Sequence, residues 1–217
     1  MSEPGIIAPG ALVMIPGAYF RSDDFAAHGF LAALGRHGCP MDVVVADLPT
    51  EAYLAGTTSP WLHANIVVPA LARGYRRLWL LGISLGGMGA LLYAQELPEV
   101  TEGIILLAPF LGTRGLVAEV ETAGGLASWD PGVIAPRDIE RRLMAQLRTA
   151  VPPRLHLGYG ASDRYAPASR LLAARLPPDR VVVADGGHDW ATWERLWREI
   201  LSTAPFDPPV QTVQSGP

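Results

Sequence analysis

The sequence predicts a doubly wound α/β domain: a mostly parallel sheet of six strands with helices on both faces. Six short apolar runs, rich in branched residues, recur along the 217 residues of the chain. They comprise residues 11–16, 41–47, 77–83, 103–109, 154–160 and 180–185. Polar and apolar residues do not alternate within these runs, which is typical of strands buried on both faces of a parallel sheet. Helically spaced segments lie between them, and this alternation indicates right-handed crossovers.

Three of the intervening segments carry clear amphipathic stripes. In the first, Phe25, Phe30, Leu31 and Leu34 follow Ser22, a residue type that favours the N-cap position. Two more stripes cover residues 171–176 and 190–201. Each stripe predicts a helix that packs its apolar face on the sheet.

The connection between the fourth and fifth strands is longer than one crossover helix requires. It covers residues 110–153. Its first part predicts a short helix and a glycine turn, and its second part predicts a helix that begins near Pro136. That second helix places Ile139, Leu143 and Leu147 on one face. Because the insertion leaves the carboxyl end of a strand, where open α/β sheets bind ligands, its first part is interpreted as a small lid or pocket wall.

The length favours one domain over residues 1–217, with a core over 11–201 and a flexible, proline-rich tail over 203–217. The first cation is Arg21, so the apolar start lacks the basic region of a signal peptide and is interpreted as a buried strand. No apolar segment reaches about 18 residues, the length that would predict a membrane span. These features predict a cytoplasmic protein.

Composition excludes several classes of function. A net charge of −4 and a pI of about 5.7 leave no basic footprint for nucleic acid or an anionic membrane. All 17 basic residues are arginine, which excludes a phosphate-loop lysine, a Schiff-base lysine and a serine–lysine dyad. Cys39 is the only cysteine, and the five histidines lie too far apart for a metal-binding spacing. The sequence therefore predicts neither a metal nor a cofactor.

The segment "GISLGG" places Ser84 between a predicted strand and a predicted helix. A serine flanked by glycines at both ±2 positions arises by chance in roughly one such chain in ten, so the setting matters more than the pattern. A strand–serine–helix turn this tight strains the backbone of Ser84 and requires Gly82 and Gly86 to avoid Cβ clashes. The turn lifts Oγ to the edge of the sheet, at a helix N-terminus that favours a developing oxyanion.

A serine nucleophile needs a base, and His188 is the histidine that follows directly on the carboxyl end of a strand. Asp163 lies just past the carboxyl end of the fifth strand, at the same predicted edge, and can orient the imidazole. Asp185 remains an alternative acid. His156, by contrast, is predicted to lie inside the fifth strand.

Three segments together resemble the α/β-hydrolase fold family. "GISLGG" is similar to its nucleophile elbow, "GASDRYAP" to its acid loop and "GGHDW" to its histidine loop, and the likeness covers about residues 11–201. The resemblance implies a minimal six-stranded sheet and a catalytic triad of Ser84, Asp163 and His188. It also implies that the backbone N–H groups of Leu85 and Ala18, or Tyr19 in place of Ala18, form the oxyanion hole.

These residues predict a serine hydrolase that cleaves a carboxylic ester through an acyl-enzyme. A carboxylesterase is preferred because the lid is small and no basic patch for a carrier protein is evident in the sequence. A thioesterase, an acyltransferase with the same triad, and a non-catalytic binding domain remain alternatives. The expected partner is a small acyl ester or thioester. Tyr19, Phe20, Phe110 and Trp190 fall beside the predicted site loops and indicate an apolar acyl pocket.

Overall fold

The computed structural model describes residues 10–39 and 41–206, and within them the strands form one six-stranded parallel sheet. The strand order is β2-β1-β3-β4-β5-β6. The strands are β1 (Gly10–Ile15), β2 (Met41–Val45), β3 (Leu78–Ile83), β4 (Thr101–Leu107), β5 (Leu155–Gly160) and β6 (Val181–Ala184). The predicted fold class is confirmed, and every predicted strand is found within about two residues of its expected bounds.

Burial separates the inner strands from the two edge strands. Every residue of β1 and β3 is buried, whereas the described side chains of β2 are exposed or half-buried. At the other edge, β6 leaves Val183 50% exposed. The expectation that all six runs are buried on both faces is therefore wrong for β2 and β6. An edge strand has a neighbouring strand on one side alone, so fewer elements shield its faces.

Helices cover both faces of this sheet. They are α1 (Asp24–Ala27), α2 (Phe30–Arg36), α3 (Thr50–Leu54), α4 (Thr58–Leu62), α5 (Val68–Ala72), α6 (Leu85–Glu96), α7 (Arg114–Thr122), α8 (Ile139–Thr149), α9 (Ala166–Ala173) and α10 (Trp190–Ser202). A π-helical turn (His63–Val67) joins α4 to α5, and a 3₁₀ turn (Pro178–Arg180) precedes β6. The helices predicted from the stripes over residues 171–176 and 190–201 are found as α9, which ends at Ala173, and α10.

The helix predicted after Ser22 is broken into α1 and α2. Gly29 adopts a left-handed φ of 73° between them, which ends the first helix and lets the chain turn before the second. Ser22 does not cap α1, because Asp23 occupies that position. Phe25, Phe30 and Leu34 are buried in one cluster, as the stripe predicts, whereas Leu31 is exposed, so the prediction is wrong for that residue.

Two apolar layers hold the sheet, one on each face. On one face, residues of α6 and α8 such as Leu91 and Leu143 belong to the same buried cluster as Leu80 of β3. On the other face, α1, α2 and α10 cover side chains such as Trp79 and Leu81. Burial of these large side chains is the main source of stability, at about 1.5–3 kcal/mol for each one taken out of water.

The long insertion consists of α7, a loop and α8. Helix α8 begins at Ile139 rather than near Pro136, because the side chain of Asp138 caps it by accepting the Arg141 N–H at 3.0 Å. Glu119 of α7 accepts two hydrogen bonds from the Arg141 guanidinium, both at 2.7 Å. It also accepts one from the Trp129 indole at 2.8 Å. Those hydrogen bonds lower the pKa of Glu119 to about 2. These hydrogen bonds join α7 to the loop that follows it and to α8. The role of the insertion as a lid stays a prediction.

The packed part of the chain extends past residue 203, where the predicted tail begins. Phe206 is buried, and its ring lies edge-on to Trp79 with 5.0 Å between ring centroids. Arg154 also donates to the Pro205 carbonyl at 2.9 Å. Residues 207–217 of the predicted tail, like residues 1–9, lie outside the described residues. Within the described ranges, no helix has the length and apolar character needed to cross a membrane.

Candidate active site

Ser84 occupies a sharp turn between β3 and α6. Its φ of 53° and ψ of −118° are unusual for a residue with a side chain. Three backbone hydrogen bonds hold the turn: the Ser84 N–H donates to the Leu107 carbonyl at 3.0 Å, and the Ser84 carbonyl accepts from Gly87 at 3.0 Å and Phe110 at 2.8 Å. The surrounding structure thus maintains the strained backbone that the sequence predicts.

The glycines on either side of Ser84 are required by close approach of the backbone. A Cβ on Gly82 would lie 2.6 Å from the Gly87 Cα, and one on Gly86 would overlap the carbonyl oxygens of Ile15 and Pro16. No side chain fits at either position without moving backbone. Helix α6 can therefore start directly against the end of β1. This brings the turn that follows β1, residues 17–20, beside Ser84.

The structure brings Ser84, His188 and Asp163 together at the carboxyl edge of the sheet. His188 lies in the loop between β6 and α10, and Asp163 in the loop between β5 and α9. The Ser84 Oγ lies 2.9 Å from His188 Nε2, and His188 Nδ1 lies 2.8 Å from Asp163 Oδ2. The two loops are joined by the Ser162 N–H, which donates to the Gly186 carbonyl at 3.0 Å.

Asp163 is fixed in a buried position that determines the tautomer of the histidine. Its side chain is 0% exposed, and its second oxygen, Oδ1, accepts the Tyr165 N–H at 2.8 Å. Because a carboxylate can only accept, His188 carries its proton on Nδ1 and presents the Nε2 lone pair to the Ser84 hydroxyl. This arrangement can remove the hydroxyl proton as Oγ attacks a carbonyl.

The other acidic residues near His188 have different partners. Asp189 caps α10, where its Oδ1 accepts the Thr192 N–H at 2.9 Å and the Thr192 hydroxyl at 3.0 Å. Asp185, the alternative acid, is exposed, and its carbonyl accepts a hydrogen bond from Arg195. The geometry therefore favours Asp163 as the partner of His188.

The predicted oxyanion hole lies where the first turn of α6 meets the turn after β1. Leu85 is the first residue of α6, so its N–H has no partner within the helix. Residues 17–20 form a tight turn in which the Phe20 N–H donates to the Gly17 carbonyl at 3.3 Å. A Cβ on Gly17 would lie 3.2 Å from the Ser84 Cβ, so this turn borders the serine. The N–H groups of Ala18 and Tyr19 have no hydrogen-bond partner among residues 10–39 and 41–206.

Several solved structures of other proteins are similar to this chain over most of its length. The chain is similar to a ferulic acid esterase, with 16% identity, a TM-score of 0.62 and coverage of 93% of this chain and 85% of the other. The fluorophosphonate-binding serine hydrolase F of Staphylococcus aureus matches with 14% identity, a TM-score of 0.64 and coverage of 95% and 88%. A monoacylglycerol lipase of Paleococcus ferrophilus has 18% identity, a TM-score of 0.54 and coverage of 92% and 96%. The chain has the α/β-hydrolase fold. No protein-family model and no curated protein matches the sequence.

Within this α/β-hydrolase fold, aromatic residues surround His188 on two sides. The ring of Tyr165 lies edge-on to the imidazole at 4.8 Å between centroids, and that of Trp193 at 5.0 Å. The sequence predicted neither contact, although Tyr165 is two residues from Asp163 and Trp193, a core residue, lies in the first turn of α10. Packing of this kind limits rotation of the imidazole and partly excludes water from it.

The four residues of the predicted acyl pocket lie in three different surroundings. Phe20 packs edge-on to Trp190 at 5.2 Å and also contacts Trp193, whereas Phe110 packs edge-on to Tyr165 at 5.7 Å. Tyr19 is 91% exposed on the turn beside Ser84. The structure thus places these residues around the edge that carries Ser84, while their contact with an acyl chain remains a proposal.

Cavities occur at both edges of the sheet. A cavity of about 680 Å³ lies at the amino edge, lined by residues such as Gly103 at the start of β4 and Arg154 before β5, far from Ser84. A cavity of about 280 Å³ lies at the carboxyl edge, and Tyr165 forms part of its wall. The smaller cavity is the one relevant to Ser84, because it lies at the same edge of the sheet as that residue.

Proposed function

We propose that this protein is a serine hydrolase that cleaves carboxylic esters through an acyl-enzyme. The observation that carries the proposal is the continuous hydrogen-bonded series from Asp163 through His188 to Ser84, at 2.8 and 2.9 Å. The names of the similar structures, an esterase, a serine hydrolase and a lipase, support the same class of reaction. Serine also argues against the hydrolases of this fold that attack through an aspartate.

Acylation begins when Ser84 Oγ attacks the substrate carbonyl carbon and its proton passes to His188 Nε2. The resulting imidazolium is stabilised by the Asp163 carboxylate on the opposite nitrogen. As the tetrahedral intermediate collapses, the bond to the leaving group breaks and Nε2 protonates the departing alcohol. The acyl group then remains on Ser84 as an ester.

Deacylation repeats these steps with water as the nucleophile. His188 removes a proton from the water as its oxygen attacks the acyl carbon, and then returns that proton to Ser84 Oγ. The products are the free carboxylic acid and the original serine. In both halves, the N–H groups of Leu85 and of Ala18 or Tyr19 are proposed to stabilise the negative oxygen, and each such donor can contribute about 3–4 kcal/mol.

A fluorophosphonate probe tests the nucleophile directly, because it forms a covalent bond only with an activated serine. We expect one adduct on wild-type protein, mapped to Ser84 by mass spectrometry, and none on Ser84→Ala. Ser128→Ala, which changes an exposed serine in the loop after α7, is the matched control and should be labelled at the wild-type rate. A folded wild-type protein without an adduct would contradict the proposal and favour a non-catalytic binding domain.

The type of acyl bond is tested with a substrate panel. 4-Nitrophenyl esters from acetate to laurate report the chain length that gives the highest kcat/KM, and matched thioesters report the preferred leaving atom. A carboxylesterase should hydrolyse the esters faster than the thioesters. Product that appears on an added alcohol instead of in the free acid would indicate acyl transfer.

A further inference from the structure

A groove runs between α7 and α9, which contact each other, and it begins at the carboxyl edge of the sheet, where α9 starts. It consists of two cavities of about 280 Å³ and 390 Å³, which adjoin because Glu121 and Pro167 line both. Tyr165 lines one end of the groove, and Arg175 lines the other cavity. Helix α9, which forms one wall, is about 12 Å long at 1.5 Å for each of its 8 residues.

Four arginines line the groove against a single carboxylate, that of Glu121. They are Arg114, Arg164, Arg170 and Arg175, and all four are exposed. None of them lies within 4.0 Å of a carboxylate in the described parts of the chain. In a protein with a net charge of −4, this is a concentration of unneutralised positive charge.

The contacts of these arginines leave their charge available to a ligand. Arg170 donates to the Ala161 carbonyl at 3.3 Å, and Arg175 donates to the Arg148 carbonyl at 3.1 Å. Arg164 lies over the ring of Tyr165, at 4.9 Å from its centroid. Neutral carbonyls and an aromatic ring orient a guanidinium without cancelling its charge. The remaining N–H groups of the guanidinium can therefore still bind an anion.

The groove lies next to His188, which is the general base of the proposed triad. Its wall residue Tyr165 packs against the His188 imidazole at 4.8 Å between ring centroids. His188 must reach the leaving atom in order to protonate it, so the leaving group occupies the side of the site nearest the imidazole. On the Tyr165 side of the imidazole, a leaving group longer than a few atoms has the groove in front of it.

We propose that the natural substrate has a leaving group with two or more phosphate groups, which bind along this groove. The inference rests on the proposed hydrolase function and narrows its substrate class. A single carboxylate would engage one or two of the arginines, whereas charges spread over about 12 Å require an extended polyanion. The groove is too short for a polynucleotide. The reaction is unchanged: the acyl group moves to Ser84, the leaving thiol or alcohol takes its proton from His188, and no phosphate bond breaks.

Two matched pairs of substrates with the same acyl group test this assignment. Butyryl-coenzyme A is compared with S-butyryl-N-acetylcysteamine, which lacks phosphate, and butyrylglycerol diphosphate with monobutyrylglycerol. We expect kcat/KM to be at least about tenfold higher for the phosphorylated member of at least one pair, through a lower KM. The pair that shows the larger ratio distinguishes a thiol from an alcohol leaving group. Added salt should reduce this ratio, because the attraction is electrostatic.

The double variant Arg114→Gln/Arg170→Gln removes one cation from each wall and does not alter Tyr165. We expect it to lower the phosphorylated-to-neutral ratio of kcat/KM by about tenfold. Arg36→Gln is the matched control, because Arg36 is an exposed arginine at the end of α2 and should leave the ratio unchanged. A general folding defect would change both members of a pair alike and would leave their ratio as it was.

The outcomes separate this inference from the proposed function. Wild-type ratios near 1 in both pairs, with fluorophosphonate labelling and 4-nitrophenyl butyrate hydrolysis intact, would overturn the groove assignment alone. A ratio that the double variant does not change would overturn it as well. Absence of labelling and of hydrolysis with every substrate would overturn both.

Discussion

Replacement of Asp163 by asparagine should nearly abolish turnover while leaving the fold intact. The carboxylate uses both oxygens: Oδ2 lies 2.8 Å from His188 Nδ1, and Oδ1 accepts the Tyr165 N–H at 2.8 Å. Asparagine has almost the same shape, and its carbonyl oxygen can keep the bond to Tyr165. Its NH₂ group then faces His188 Nδ1, and because that group can only donate, Nδ1 must become an acceptor.

The size of the effect follows from this reversal of the tautomer. With its proton on Nε2, His188 points an N–H at the Ser84 Oγ, 2.9 Å away, and has no lone pair there to accept the hydroxyl proton. Flipping the amide would instead place its NH₂ against the Tyr165 N–H, and a buried donor without an acceptor costs about 1–3 kcal/mol. Neither arrangement stabilises the imidazolium. We expect kcat to fall by about 10⁴, which corresponds to about 5 kcal/mol of barrier.

The assay is the kcat for 4-nitrophenyl butyrate, together with the melting temperature of each protein. Asp189→Asn is the matched control, because Asp189 adjoins His188 in sequence but caps α10, and asparagine caps equally well. That control should stay within about twofold of the wild-type kcat. A folded Asp163→Asn protein within about tenfold of wild type would refute the orienting role of Asp163, and Asp185→Asn should then be measured.

Two other predictions concern the elbow and a half-buried histidine. Gly86→Ala forces its Cβ against the carbonyls of Ile15 and Pro16, so we expect a loss of about 1–3 kcal/mol in urea unfolding and slower fluorophosphonate labelling. Gly35→Ala, in open space on α2, should cost nothing, and equal behaviour of the two variants would contradict this reasoning. Burial of His156 in β5, followed by the charges of nearby arginines, lowers its pKa to about 4 from an ordinary value near 6.5. The unfolded chain therefore binds the proton first as the pH falls from about 6.5 to 4, and about 2 kcal/mol of stability should be lost over that range. His156→Gln should remove this pH dependence; an unchanged difference in unfolding free energy between pH 7 and 4.5 would argue against it.

Much of the fold could be predicted because the signals are local. An apolar run of six residues forms a buried strand largely through its own branched side chains, and all six runs were predicted near their observed positions. Their order in the sheet was not predicted, because the preference for right-handed crossovers does not determine on which side of the sheet each new strand is added. The exposure of β2 and β6 was missed because burial depends on the neighbouring elements, which a run of residues does not specify.

The proposed triad could be predicted for a related reason. Parallel strands all end at one edge, so residues that directly follow β3, β5 and β6 must meet there, although 104 residues separate Ser84 from His188. This topological rule identifies the neighbours but not their distances. The hydrogen-bond lengths depend on the register of the strands and on the link between Ser162 and Gly186, which joins the acid loop to the histidine loop.

Two features around the triad, the aromatic contacts of His188 and the basic groove, depend on how distant elements pack and were not predicted. Tyr165 and Trp193 contact His188 because α9 and α10 approach the edge at particular angles. The basic groove is even harder to predict from the sequence, because Arg114 and Arg170 belong to helices far apart in the chain and no run of basic residues indicates it. Local pattern and strand topology were sufficient to specify the strands, the elbow and the three residues at one edge. The bond lengths, the aromatic enclosure of His188 and the gathering of four arginines arise from side-chain packing between helices, which sequence spacing alone does not encode.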